Sequence, residues 1–281
     1  MKIKSRINIF FNSVLIVCGM SALILTIAFA TSFDAKTGYF DNGVFPQAFA
    51  VFLVVQVIVA LTSAIALPRR SALKTYDDLE TEGPLFIVIG IILIVLSVFG
   101  VLLGSDEGEK YSLLPKIGTA LFGLYVFIVG LQRSYEYRFI KLITLYLSIL
   151  FPVSIFLNNN LNYGRHINSV ENLLTTAFII SYLFYVICEG RRITHGTHSR
   201  WHFTAMAIAF STGASFSAAY MLSYIFGVVN ESQRAFEMLI IFFICSYIYI
   251  EAKRFMNEAV ASPLPEPTPV QAATEQPIEE E

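Results

Sequence analysis

The densest chemistry-bearing stretch of this chain is Arg191–His202, which gathers Arg191, Arg192, His195, His198, Arg200, Trp201 and His202. Histidines spaced three and four apart share one face of a helix and present imidazoles to a metal ion. Gly196 and Thr197 weaken such a helix, and neighbouring arginines repel a cation. A membrane surface suits the stretch better, because tryptophan partitions to the headgroup layer and guanidinium groups meet anionic phosphates there. Arg191, Arg192, Arg200 and Trp201 are therefore read as lipid-headgroup contacts. No metal is expected, with His195, His198 and His202 the weak candidates for one.

Other polar side chains stand in apolar surroundings. Gln56 lies near the middle of a long apolar run, where an unpaired amide is costly. It must clamp another helix or line a hydrated cavity, and Asn12 faces the same two choices. Ser211 and Ser215 share one small face of a later run, and with Gln56 they form the candidate intramembrane polar site. Lys116 and Glu237 enter their runs at similar depth and are expected to pair. Residues so near a helix end also reach the interface by snorkelling. Cys18, Cys188 and Cys245 are widely spaced and form no CxxC pair, so they read as small packing residues. There is no Gly-rich phosphate loop, zinc-protease histidine pair or nucleophile elbow. Asp106, Glu107 and Glu109 lack calcium-loop spacing. No cofactor and no nucleic-acid partner is implied.

The elements that must position these residues are membrane spans. The chain is 56% hydrophobic and only 14% charged, with mean hydropathy +0.65; soluble domains carry roughly 25% charge. Whole segments are apolar on every face and long enough for a ~30 Å hydrocarbon core. Eight spans are placed at Ile7–Thr31, Phe45–Leu67, Leu85–Gly104, Leu113–Leu131, Phe139–Leu157, Val170–Cys188, Phe203–Val229 and Ala235–Ile250. The expectation is an all-α integral membrane bundle over residues 1–254. A cytoplasmic tail follows over 255–281, acidic and Pro-rich and disordered from about residue 261.

Basic residues orient the bundle. With the N-terminus inside, the cytoplasmic segments hold Lys2, Lys4, Arg6, Arg69, Arg70, Lys74, Arg133, Arg138, Lys141, Arg191, Arg192, Arg200, Lys253 and Arg254. Only Lys36, Lys110, Lys116, Arg165 and Arg234 remain outside, so both termini are expected in the cytoplasm. Ala28-Phe29-Ala30 resembles a signal-peptidase site, but the apolar stretch before it exceeds the usual secretory core, which favours a retained helix.

The seventh span carries two small faces, Ala205/Ala209/Gly213/Ser217 and Ala207/Ser211/Ala214/Ser215/Ala218, flanked by Phe210. Small faces admit neighbours closely, so this helix is expected at the bundle centre. Pro46 and Pro115 open spans 2 and 4 in the same way, and Glu189-Gly190-Arg191-Arg192 and Glu251-Ala252-Lys253-Arg254 close spans 6 and 8 alike. Shared boundary chemistry explains these likenesses as well as duplication does. The first hairpin, turning at Gly43-Val44-Phe45-Pro46 into a long apolar helix with a basic end, is similar to one in the small membrane subunit of tripartite tricarboxylate transporters. Those subunits have four spans.

Two kinds of function fit. The preferred expectation is a non-enzymatic accessory, scaffold or regulatory membrane subunit in the cell membrane. It would meet a membrane or cytoplasmic protein partner as well as the lipid bilayer. The alternative is a stand-alone carrier or channel for a small neutral or amphipathic solute, using Gln56 and the span 7 serines. The absence of acidic, basic or histidine residues near the span midplanes ranks the carrier second.

Overall fold

The computed structural model describes residues 2–34, 37–66, 70–72, 83–103, 113–131, 138–161, 169–195, 197–229 and 231–261. Its helices are α1 (Lys2–Ser32), α2 (Val44–Ala66), α3 (Gly83–Leu103), α4 (Leu113–Gly130), α5 (Arg138–Leu147), α6 (Leu150–Leu161), α7 (Val170–His195), α8 (Arg200–Ile225) and α9 (Ser232–Ala261). Four short strands complete it: β1 (Phe33–Asp34), β2 (Tyr39–Phe40), β3 (Arg70–Ala72) and β4 (Thr197–Ser199). Seven helical stretches are long and apolar enough to cross a membrane, with α5 and α6 together forming one, and Gly83–Phe99 is a shorter apolar helix. The protein is an all-α membrane bundle.

Local sequence sets the helix ends. Pro46, Pro84 and Pro115 fall in the first turns of α2, α3 and α4, where the missing N–H has no helical acceptor to lose. At α7, the Asn172 N–H donates to Ser169 Oγ at 3.3 Å, and Glu171 sits by the positive helix end. Span 7 stops earlier than its apolar pattern suggests. Gly227, at φ 71°, closes α8 with N–H bonds from Gly227 to Tyr224 O (3.0 Å) and from Val228 to Ser223 O (2.9 Å). Glycine permits that left-handed residue without a Cβ clash.

The expected fifth span is broken in two. Pro152 has no N–H for the Ser148 carbonyl, so the chain tightens and the Phe151 N–H takes that oxygen at 3.0 Å. Ser148 Oγ then bonds the Leu145 carbonyl and reaches the Tyr182 hydroxyl at 2.8 Å, which ties the break to α7.

In the packing, α8 takes the centre, against α1, α2, α7 and α9. Its Gly213 faces α7 and α9, where an added Cβ would lie 2.5 Å from Phe178 Cδ2 and strike Cys245 Sγ. On its other side the Ser211 carbonyl meets Cys18 Sγ of α1 at 3.9 Å. The membrane-length part of α8 is 72% buried, whereas that of α2 is only 17% buried and touches the bundle through α1 and α8. The α1 segment around the signal-peptidase-like Ala28-Phe29-Ala30 is core, with Leu25, Ala28 and Phe29 buried and Phe29 packed on Phe33, Phe40 and Tyr220.

Two small sheets fasten the ends. β1 and β2 pair between α1 and α2, and the Val170 N–H donates to the Gly38 carbonyl at 3.1 Å. At the basic end β3 pairs with β4, aligning Arg70 with Ser199 and Ala72 with Thr197. The largest overruns of the expected spans are at two C-terminal ends: α7 continues past Cys188 to His195, and α9 past Ile250 to Ala261. The tail beyond residue 261 lies outside the described residues, as does the acidic loop of Asp106, Glu107 and Glu109.

Candidate functional site

A charged cluster fills the interior where α4, α7, α8 and α9 converge towards the basic end. Glu189 and Arg192, one turn apart on α7, form a fork: Arg192 Nε donates to Glu189 Oε2 at 2.7 Å, and Nη2 bonds Oε1. Tyr125 of α4 donates its hydroxyl to Glu189 Oε1 at 2.5 Å. His202 Nε2 of α8 lies 2.9 Å from Glu189 Oε2. From α9, Glu251 brings Oε1 to 3.5 Å from Arg192 Nη2, and its Oε2 accepts the Tyr185 hydroxyl at 2.8 Å. Both carboxylates are 0% exposed, Arg192 3% and His202 1%.

Aromatic rings wall the cluster in. Tyr185 stacks on His202, and Tyr247 packs on Phe86, Phe122 and Tyr125. Arg254 lies over the Phe86 ring, 5.7 Å from its centroid. In so apolar an enclosure each ion must be matched closely, because removing charge from water costs several kcal/mol per ion. Glu189 meets that demand with donors on both oxygens.

The cluster differs from the sequence expectation at Arg192, which turns inward to Glu189 and is buried rather than placed as a headgroup contact; His202 joins the same cluster. Arg191 and Trp201 are exposed, while Arg200 opens α8. His195 ends α7 exposed and His198 lies in β4 opposite Ser71, so the three histidines are not gathered. The missed signal was the repeated Glu-x-x-Arg at 189–192 and 251–254. It places both charges of each pair on one helix face.

The structure also brings Gln56 and Ser211 together. They border one crevice with Val14, Val17, Val59 and Ala207, between α1, α2 and α8, which in this conformation is closed to a water molecule. Gln56 is 2% exposed, and neither its Nε2 nor its Oε1 has a hydrogen-bond partner among the described residues. Ser21, buried and likewise without a partner there, lies on the same face of α1 as Val14. Ser211 and Ser215 bond back along their own helix, to Ile208 O at 3.3 Å and to Ser211 O at 2.7 Å. Their hydrogens are engaged, while their oxygens keep acceptor capacity.

Lys116 and Glu237 do not pair. Glu237 instead meets Arg234, with Nη1 to Oε2 at 3.3 Å, and Arg234 also donates to Thr175 Oγ1 at 3.0 Å, joining the N-terminal halves of α7 and α9. The Lys116 backbone carbonyl accepts Ser97 Oγ at 2.6 Å.

These features define a helical integral membrane protein with polar groups enclosed at two depths. No family model, no curated protein and no solved structure matches the chain.

Proposed function

We propose that this chain is a non-enzymatic carrier for a small neutral, hydrogen-bonding solute, embedded with both termini on the cytoplasmic side. The observation that carries the proposal is Gln56, an amide with both polar atoms unpartnered among the described residues, facing a crevice beside Ser211. A buried amide of this kind costs about 2–7 kcal/mol against water. A scaffold gains nothing from that cost, whereas a carrier uses it to bind a solute's donor and acceptor. Gln56 lies near the middle of α2, the depth at which alternating-access carriers bind. Sparse packing of α2 on the bundle makes it the element able to open the crevice.

An accessory subunit ranked first on the scarcity of titratable groups in the spans. The enclosed Glu189–Arg192–Glu251–His202 cluster adds buried titratable groups to the bundle near its basic end, while the midplanes stay free of them among the described residues. The test is uptake of labelled glycerol, urea and neutral amino acids into liposomes holding the purified protein. Wild type is expected to speed uptake of one class, and Gln56→Leu to abolish it without lowering thermal stability, since no described bond is lost. If wild type moves none of them and instead purifies with a stoichiometric protein partner, the carrier gives way to the accessory subunit.

A further inference from the structure

We propose that Glu251 is a proton-binding site of the bundle and, resting on the carrier reading above, the site at which proton uptake drives solute movement.

The argument begins from donors and charges. Glu189 takes Tyr125 and the Arg192 Nη2 on one oxygen, and the Arg192 Nε on the other with His202 Nε2 2.9 Å away. Glu251 accepts the Tyr185 hydroxyl on Oε2 and has the Tyr247 hydroxyl as a second polar neighbour; its Oε1 meets no donor in hydrogen-bond geometry and lies 3.5 Å from a guanidinium already committed to Glu189. Two enclosed carboxylates thus share one arginine fork. When like charges share such a site, a proton on one of them relieves the repulsion. Placed on Glu251 Oε1, it neutralises the less supported carboxylate and supplies the missing hydrogen.

The groups around Glu251 come from every side: Glu189, Arg192 and Tyr185 from α7, His202 from α8, Tyr125 from α4, and Tyr247 and Arg254 from its own helix, with Phe86 of α3 beneath Tyr247. Lys141 of α5 is also buried. His202 opens a route from the basic end, being in the first turn of α8 and stacked on Tyr185, whose hydroxyl reaches Glu251.

Two connections tie the proton site to the crevice. The same α8 carries His202 and Ser211, about 13 Å apart along the axis. The helix that carries Gln56, α2, leads towards β3, which pairs with β4 immediately before α8. A tilt of α2 that opens the crevice therefore pulls on the turn that positions His202.

Infrared spectroscopy of the reconstituted full chain, titrated in deuterated buffer, tests the site without any solute. Wild type is expected to show a protonated-carboxyl stretch that disappears as pH rises, and Glu251→Gln to lack it. If Glu251→Gln fails to fold, Tyr185→Phe is expected to shift the frequency of that band by removing its hydrogen-bond donor. A wild type with no titrating carboxyl band overturns the proposal, as does a band unchanged in both variants. Solute uptake then separates the two claims. Stimulation of wild-type uptake by an imposed proton gradient, lost in Glu251→Gln, supports the coupling; uptake insensitive to the gradient overturns it. A Glu251-dependent band in a protein that moves no solute supports the proton site and overturns the carrier reading.

Discussion

Arg192→Met is expected to destabilise the bundle by about 3–5 kcal/mol, the usual cost of removing one partner from a buried ion pair. The loss exceeds that of an ordinary hydrogen bond because Arg192 is the cation shared by both Glu189 and Glu251, each 0% exposed. Without it, two carboxyl groups remain enclosed among phenols and an imidazole, with Arg254 one turn along α9 from Glu251. Arg192→Lys is expected to recover part of the loss. An ammonium keeps the charge but cannot place two parallel donors across the Glu189 carboxylate. The triple change Glu189→Met, Arg192→Met and Glu251→Met is expected to restore most of the stability, since a buried ion cluster replaced by apolar groups of similar volume is often neutral. Thermal unfolding of the purified variants in one detergent, at fixed pH, gives the comparison. An Arg192→Met protein within about 1 kcal/mol of wild type, the scale of an exposed pair, would remove the cluster from the forces that hold these helices together.

That cluster also shows what sequence could and could not disclose. The spans were legible because lipid demands apolar side chains on every face, a signal that needs no tertiary knowledge. The central place of α8 followed from its small residues, and Gln56 with Ser211 from the cost of polar groups at that depth. Where hydropathy failed was at helix ends. It stopped α7 at Cys188 and α9 at Ile250 because charges begin there, yet Glu189, Arg192, Glu251 and Arg254 all point inward. Hydropathy averages along the chain and ignores which side of a helix a charge occupies. Only tertiary packing turns two Glu-x-x-Arg endings from surface chemistry into a site. The Lys116–Glu237 expectation failed for a related reason. Equal depth does not fix azimuth, and Arg234 lies one turn from Glu237 on the same helix.

Gly123→Leu is expected to separate α3 from α4 and to cost at least the 1–3 kcal/mol typical of overpacking. A Cβ at Gly90 would lie 2.7 Å from Gly123 O and 2.7 Å from Phe127 N, one at Gly123 would lie 2.9 Å from Gly90 O, and one at Gly130 would lie 2.7 Å from Ile87 N. These neighbours are backbone atoms, so no rotamer change relieves the clash, and the helices must move apart. Membrane helices gain no hydrophobic drive for association, and the close approach that small residues allow is what holds such a pair. Gly19→Ala is the control, because its Cβ would meet nothing within 4 Å and alanine suits a helix better than glycine. The consequence reaches the charged cluster: α4 holds Tyr125 against Glu189, and α3 holds Phe86 against Tyr247 and Arg254. Gly123→Leu should therefore lower thermal stability and, at temperatures where the variant stays folded, weaken the Tyr125–Glu189 bond, read as a shift in the tyrosine C–O infrared band. Lower stability with that band unmoved would mean that the α3–α4 seam bears on the bundle alone; both effects together make the glycines part of what holds the site.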